Sequence, residues 1–427
     1  MTARRSSGTR HRSVPRVGLF GILGAGNIGN DASMESVLRY LQAGHPDAIV
    51  DAMCSGPEWV KSHHGIEAVP MAWSQTLDER ASGVTWTALK MLSKGVDAVR
   101  TASWVRKHDV VIVPGMGVLD ASLPLRAWQF PYALFLISAS GRLFRTRVAM
   151  VSVGADIVHQ GPTRWLLKTA ARLAFFRSFR DAYSREAMRR MGLDVARDPV
   201  CPDLVFGLPA PSHDVGDPQT VAVGVMAYYG SNDDRREADA IYASYIANVT
   251  RFVRWLVDGG RKVRLLIGDA NGSDDGAVQD ILASLRVQRP DLESSQVVAQ
   301  PMSSLADVMR ELAMAGTVVA TRYHNVLCGL RLSRPTISLG YSAKHEALMA
   351  EMGVPEFCQP ANPLDVDMLI KRFAELESRS TRIRQVLQDR NLVSEQRLDE
   401  QFAALSALLF PAREPSPTME RPHLRQG

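Results

Sequence analysis

An arginine and a histidine two residues apart interrupt an apolar run in the stretch AGTVVATRYHNVLCGLRLSRPTISLGYSAKH, Ala315 to His345. A buried strand over Thr317–Ala320 and a helix starting near Asn325 leave Arg322 and His324 in the loop past the strand's carboxyl end. A helix start offers free N–H groups and a partial positive charge. With a guanidinium fork and an imidazole beside it, that loop suits a phosphate or a carboxylate. The same residues also admit a purely structural use, with Arg322 in a salt bridge and His324 capping the helix.

A second stretch, GILGAGNIGNDASMESVL, holds Gly24-x-Gly26-x-x-Gly29 between a strand and a helix, and Asp51 ends the next strand. On paper that is a dinucleotide fingerprint. Asn27, Asn30 and Asp31 argue against it, because Asp31 places a carboxylate in the first helical turn, where a pyrophosphate would be repelled. A tight polar turn aiming Asn27 and Asp31 into a cleft, toward hydroxyls, is the alternative. A glycine turn with Asp31 as N-cap is the plainest use. Gly115-Met116-Gly117 and Gly154 fall at two further strand ends, and Ser184 and Arg185 start a helix in DAYSREAMRRMG. His63-His64 near Cys54 makes a poor metal site, since adjacent side chains point apart, and no metal is expected.

These sites need strands and helices in alternation to carry them. Strands are expected at Val17–Leu23, Ala48–Met53, Asp109–Pro114 and Arg147–Val153, with helices at Ser33–Ala43, Thr87–Arg106, Leu125–Ser140 and Arg164–Phe176. LPAPSHDVGDPQT breaks the pattern with three prolines. Alternation then restarts with a strand at Val221–Met226, a helix from Glu237 to Asp258, and strands at Lys262–Ile267, Gln296–Ala299, Thr317–Ala320 and Thr336–Leu339. Such alternation implies parallel sheets covered on both faces, hence an α/β protein of two Rossmann-like lobes with a central cleft. The expected division is a disordered basic tail (1–15), an amino-terminal lobe carrying the glycine loop (16–207), a linker (208–220), a carboxyl-terminal lobe carrying Arg-x-His (221–375), terminal helices (376–410) and a disordered tail (411–427).

Net charge is +5 over 427 residues, and Arg4, Arg5, Arg10, Arg12 and Arg16 account for all of it. Without residues 411–427, which hold three Arg and two Glu, the remaining body lies near −1. Charge therefore indicates no nucleic-acid face. The apolar stretch Phe130–Ala139 is half a membrane span, and no signal peptide follows the basic start. A cytoplasmic protein is expected, with the basic tail available for peripheral membrane contact. Cys54, Cys201, Cys328 and Cys358 are isolated and read as free thiols.

Taken together, the stretches resemble the polysaccharide pyruvyl transferase family from about Gly18 to Gly353. GNIGND is similar to its glycine–asparagine–aspartate loop, VIVPGMGVL to its glycine turn, and YSREAMRRMG to its Ser-x-Arg segment. TRYHNVLCGLRLSRPTISLGYSAKH is the most specific match: Arg-x-His, an apolar helix, a proline-led strand, then Tyr-x-x-Lys. Pro114, Met116, Glu186 and Asn30 depart from the pattern, and they fall mostly on the acceptor side.

The resemblance implies a glycosyltransferase-B-like fold and transfer of a pyruvyl group from phosphoenolpyruvate, as co-substrate and without a cofactor, to a sugar of a cell-envelope or extracellular polysaccharide. Arg185, Arg322 and Lys344 would hold the donor's two anionic groups. His324 would be the general acid and Asp31 the base. Asn27, Gly26, Gly29, Gly115 and Gly117 would shape the acceptor side. A nucleotide-sugar glycosyltransferase and a non-catalytic partner of envelope-polymer assembly remain as alternatives.

Overall fold

In the structure, a computed structural model, residues 14–73, 84–120, 127–211, 216–230, 234, 236–270 and 272–410 are described. Most of the basic tail, the tail from 411 and residues 212–215 of the expected linker lie outside them.

The amino-terminal lobe runs β1 (Arg16–Gly21), α1 (Ile28–Gly44), β2 (Ile49–Cys54), α2 (Pro57–His64), β3 (Glu67–Pro70), α3 (Val84–Val105), β4 (Val110–Pro114), α4 (Phe130–Phe144), β5 (Arg147–Val153), α5 (Gly161–Leu173), β6 (Phe176–Phe179) and α6 (Ala182–Arg190). Its six strands are all parallel, in the order 3-2-1-4-5-6. Pro57, Pro131 and Pro162 open α2, α4 and α5, where a missing N–H costs nothing.

The carboxyl-terminal lobe repeats the scheme with β7 (Asp217–Gly224), α7 (Ala238–Asp258), β8 (Lys262–Leu266), α8 (Ser273–Gln288), β9 (Val297–Ala299), α9 (Leu305–Ala313), β10 (Ala315–Ala320), α10 (Tyr323–Arg331), β11 (Thr336–Gly340), α11 (Ala343–Glu351), β12 (Cys358–Pro360) and α12 (Val366–Ser378). Its strands order as 12-11-10-7-8-9, again all parallel. The strands β4 and β10 are buried along their whole length, which their Val-rich sequences require between two helix layers.

Each sheet reverses its winding once, between β1 and β4 and between β7 and β10. Loops diverge at such a point and leave a crevice beyond the strand ends. The glycine loop follows β1, Gly115–Gly117 follows β4, and Arg322 follows β10. The motifs singled out in the sequence thus line two crevices that face each other.

Two expected boundaries shift. β7 begins at Asp217, inside the expected linker, and the division at 375/376 cuts through α12, because Val366, Leu369, Phe373 and Leu376 bury one continuous stripe. The last helix, α13 (Ser380–Leu409), is not confined to one lobe. Its Asn391 donates to Leu330 and Arg331 in the carboxyl-terminal lobe, while Gln401 reaches Ser152 and Ser406 reaches Tyr40 in the amino-terminal one. Thirty residues span about 45 Å as helix, enough to strap both lobes. Among the described residues, no helix is long and apolar enough to cross a membrane.

Candidate active site

The glycine loop is held by its own helix. Gly24 and Gly26 take positive φ, 69° and 85°, and Gly24 lies against the backbone of Gly56 so closely that neither position has room for a Cβ. The Asn27 side chain caps α1 by accepting from Asn30 N at 3.1 Å, so the helix starts five residues earlier than the apolar period suggests. Asp31 is not the cap. Its Oδ1 accepts from Gly24 N at 2.6 Å, and burial raises its pKa to about 6, against the lowering effect of that N–H. The expectation that Asn27 points free toward hydroxyls is corrected: its oxygen is committed to the cap.

This loop also touches the other lobe. Ala270 N donates to Gly26 O at 2.8 Å, and Asn27 pairs with Asp269 in an isolated antiparallel bridge. Gly29 lies against the His324 ring, where any Cβ would overlap it. Gly115 (φ 47°) leaves room for Ser33, whose Oγ would lie 2.5 Å from a Cβ there; Gly117 is exposed beside Asp120.

The turn after β10 is fixed from every side. Thr321 N donates to Gly224 O, its hydroxyl bonds Tyr245 OH at 2.7 Å, and its carbonyl lies 3.1 Å from His345 Nε2. Asn325 Nδ2 donates to Ile267 O. Arg322 is already engaged: Nε and Nη2 fork onto Asp274 at 2.8 and 2.6 Å. Asp274 is fully buried and also accepts from Ala227 N and Gly268 N, tying together the loops after β7 and β8. The structural use of Arg322 is therefore the one observed, and donor binding through a free fork is corrected.

With Arg322 occupied, α10 begins without a side-chain cap, and so does α11 at Ser342. Lys344, in the first turn of α11, reaches across the cleft to Asp120 at 3.5 Å. Arg185 does not join them: it is exposed on α6. The guanidinium that does is Arg180, which the sequence reading missed. It sits buried at the end of β6, stacked 4.3 Å over the Tyr323 ring, with Asp181 and Asp203 at 3.5 and 3.6 Å. Gly154 makes room for it, since a Cβ there would lie 2.8 Å from the guanidinium carbon.

His324 lies among these groups. Burial pushes its pKa down to about 4; Asp203 opposes that, while Arg180, Lys344 and Arg322 add to it. The ring is therefore neutral at pH 7, so the general acid expected there must first gain a proton. Its Nε2 is buried with no hydrogen-bond partner, as is Arg180 Nε. His324 Nε2, with Arg180 and Lys344 close enough to act on it and two uncapped helix starts beside it, marks a place that an anion would complete. Among the described residues, no three His, Cys, Asp or Glu side chains converge to hold a metal.

A cavity of about 270 Å³ opens at the ends of β1, β2 and β3, lined by Ser55, Lys94, Asp97, Gln129, Phe130 and Tyr132 among others. Mixed polar and aromatic walls of this kind suit a sugar better than a purely apolar ligand.

Comparison with known proteins agrees with this architecture. A putative UDP-N-acetylglucosamine 2-epimerase from Listeria monocytogenes superposes with a TM-score of 0.61 at 11% identity, over 92% of this chain and 96% of that one. The S. aureus MnaA–UDP structure gives 0.58 at 11% identity, over 94% and 99%. UDP-GlcNAc 2-epimerase from Neisseria meningitidis, bound to UDP-GlcNAc, gives 0.56 at 11% identity, over 92% and 100%. At such identity the likeness establishes the fold alone, a two-lobed, glycosyltransferase-B-like arrangement of Rossmann-type domains. No curated protein matches the chain in sequence. Residues 27–343, from the cap of the glycine loop to the start of α11, match the polysaccharide pyruvyl transferase family, and the chain belongs to that family of transferases.

Proposed function

We propose that the protein transfers the pyruvyl group of phosphoenolpyruvate to a sugar of a cell-envelope or extracellular polysaccharide precursor. The observation that carries this reading is the anion-ready pocket around His324: two uncapped helix starts, Arg180 and Lys344, and an imidazole whose Nε2 has no partner. Phosphoenolpyruvate brings a phosphate and a carboxylate, and two helix starts with two cations can hold both.

Donor binding also prepares the acid. A phosphate dianion beside His324 opposes the burial, and the lesser effect of the nearby cations, that keep the ring neutral, so a proton is taken up as the donor arrives. His324 then gives that proton to the enol methylene carbon. A sugar hydroxyl bonds to the adjacent carbon and passes its proton to Asp31, whose pKa near 6 leaves it ionised yet basic at neutral pH. A second hydroxyl attacks the same carbon as the C–O bond to phosphate breaks, and its proton leaves with the phosphate, which closes a cyclic ketal and releases inorganic hydrogen phosphate. Arg180 and Lys344 stabilise the departing charge. The acceptor occupies the cavity between α3 and α4, and the protein works on the cytoplasmic side.

A second reading, a nucleotide-sugar glycosyltransferase, is favoured by the structural neighbours bound to UDP or UDP-GlcNAc. Thermal protection separates the two. Phosphoenolpyruvate should raise the melting temperature and, with a panel of lipid-linked and nucleotide-linked sugars, release phosphate. Protection by UDP-sugars alone, with no phosphate released from phosphoenolpyruvate, would reject the pyruvyl reading.

A further inference from the structure

The body carries little net charge, yet the charge is not evenly spread. Right-handed crossovers place α1 and α2 on one face of the first sheet and α3, α4 and α5 on the other. α13 returns over the first face, where Phe402 stacks on Tyr40 at 4.5 Å. On the second face α3 packs on α4 and α4 on α5, and their outward sides present large apolar residues to solvent.

Leu92, Val96 and Val99 recur at helical spacing along α3; Leu143 and Phe144 close α4; Trp165 lies on α5 and Phe175 just beyond it. Leu92, Leu143 and Trp165 are 68, 72 and 56% exposed. Trp165 leans on Phe135 at 5.5 Å, so the apolar surfaces of α4 and α5 are continuous. One exposed leucine is ordinary, but a band across three adjacent helices is not.

Among the described residues, the exposed charges on these three helices are basic. α4 and α5 contain Arg142, Arg164, Lys168 and Arg172 without an acid, and Arg145 follows α4. The single acid of α3, Asp97, is buried, bonded to Trp73 N and paired with Lys94. A basic, apolar face with an exposed indole complements an anionic lipid surface: arginines meet phosphates, the indole sits at headgroup level, and leucines enter the acyl boundary.

We infer that the α3–α4–α5 face docks on an anionic membrane surface. Lys94 and Asp97, which line the cavity between α3 and α4, lie on the side of α3 turned away from Leu92, Val96 and Val99. α3 thus meets the membrane on one side and the cavity on the other, which sets the cavity one helix away from a sugar borne on a lipid. That placement of the acceptor rests on the transfer reading; the docking itself does not.

Co-sedimentation of the full-length chain with vesicles tests this. Phosphatidylcholine vesicles containing phosphatidylglycerol should capture the protein, neutral ones should capture it about tenfold less, and salt should weaken the difference. Leu143→Ser with Trp165→Ser, and separately Arg142→Glu with Arg164→Glu, should each cut capture by about tenfold while melting as the wild type does. A full-length chain with Arg4, Arg5, Arg10 and Arg12 changed to Gln separates this face from the tail, and it should still bind. The inference is overturned by absence of capture on anionic vesicles, by unchanged capture of both face variants, or by loss confined to the tail variant. A shift in oligomeric state of the face variants, seen by light scattering, would also overturn it, because a second copy would then cover the face. No turnover enters the assay, so its failure is distinct from failure of the transfer chemistry.

Discussion

Gly24 and Gly29 leave the amino-terminal rim without Cβ atoms where a backbone or a ring comes close, whereas Thr321, Arg322 and Asn325 anchor the carboxyl-terminal rim through side chains bonded to α7, α8 and the loop after β8. One rim is shaped by what it lacks, the other by what it holds. A rim of missing atoms tolerates only smaller neighbours. A rim of interlocked polar groups tolerates only conservative ones, because each lost partner strands another buried group. The exception on the carboxyl-terminal rim is His324, whose Nε2 is left without a partner.

That exception gives the largest expected effect. His324→Asn should reduce turnover by about two to four orders of magnitude, the range for a general acid or base. Stability should hold within about 1 kcal/mol, since no hydrogen bond of Nε2 is lost. Calorimetry in buffers of different ionisation enthalpy adds a second reading: wild type should take up a proton on binding phosphoenolpyruvate at pH 7, and the variant should not. Equal proton uptake in both would remove His324 from the acid's role.

Asp274 tests the interlocked side of the comparison. Removing one member of a buried ion pair costs about 3–5 kcal/mol, and Asp274→Ala also strands two backbone N–H groups. Its exposed neighbour Asp275 should be replaceable by Ala within about 0.5 kcal/mol. Arg322→Lys keeps the charge but loses the fork, so its loss of stability should overlap that of Asp274→Ala in the double variant rather than add to it. Denaturant titration of the four proteins measures this. Full additivity would show that the two residues act apart.

These residues also show what a sequence can and cannot reveal. Val-rich runs alternating with helical periods mark β4, β10 and the inner half of β7, because a strand buried on both faces needs an uninterrupted apolar run. The edge strands β3 and β12, EAVP and CQP, carry no such signal, being short and half exposed. Arg-x-His falls at the crevice beyond β10, but the partner of Arg322 is not legible in sequence, since SDDG offers two adjacent acids and only burial distinguishes them. Nothing in the local pattern singles out Arg180 in place of Arg185 either. The rotation of α6 turns one outward, while β6 ends with the other under Tyr323. Side-chain direction at an element's end depends on packing that no local pattern encodes.

Gly29→Ala probes the rim shaped by absence. In the interior of an isolated helix the change would stabilise by about 1 kcal/mol. Against the His324 ring it should instead cost about 1–3 kcal/mol, the usual cost of an overpacked contact. Adding His324→Ala removes the ring, and the double variant should regain stability relative to Gly29→Ala alone. A single Gly29→Ala variant as stable as the wild type would mean that the lobes stand farther apart in solution.

The smallest effect separates the rims by the sign of their pH dependence. His324 titrates near 4 in the fold against about 6.5 unfolded, and His345 is likewise lowered, to about 3, by burial first. Between those values the unfolded chain binds more protons, so this contribution to stability grows as pH rises and is complete above about 6.5. Asp31 has the opposite sign. Its folded pKa of about 6 exceeds the unfolded value of about 3.8, so the folded state holds the extra proton, and its contribution is full below 3.8 and lost as pH rises through 6. The two partly cancel between pH 4 and 6. At about 1.4 kcal/mol per unit, reduced for solvent screening, each is on the order of 2 kcal/mol. His324→Asn should therefore flatten the fall in stability toward acid, and Asp31→Asn should steepen it. Denaturation midpoints at pH 4, 5, 6 and 7 give the slopes, and parallel curves for both variants and the wild type would show that neither rim is desolvated enough to shift its charge.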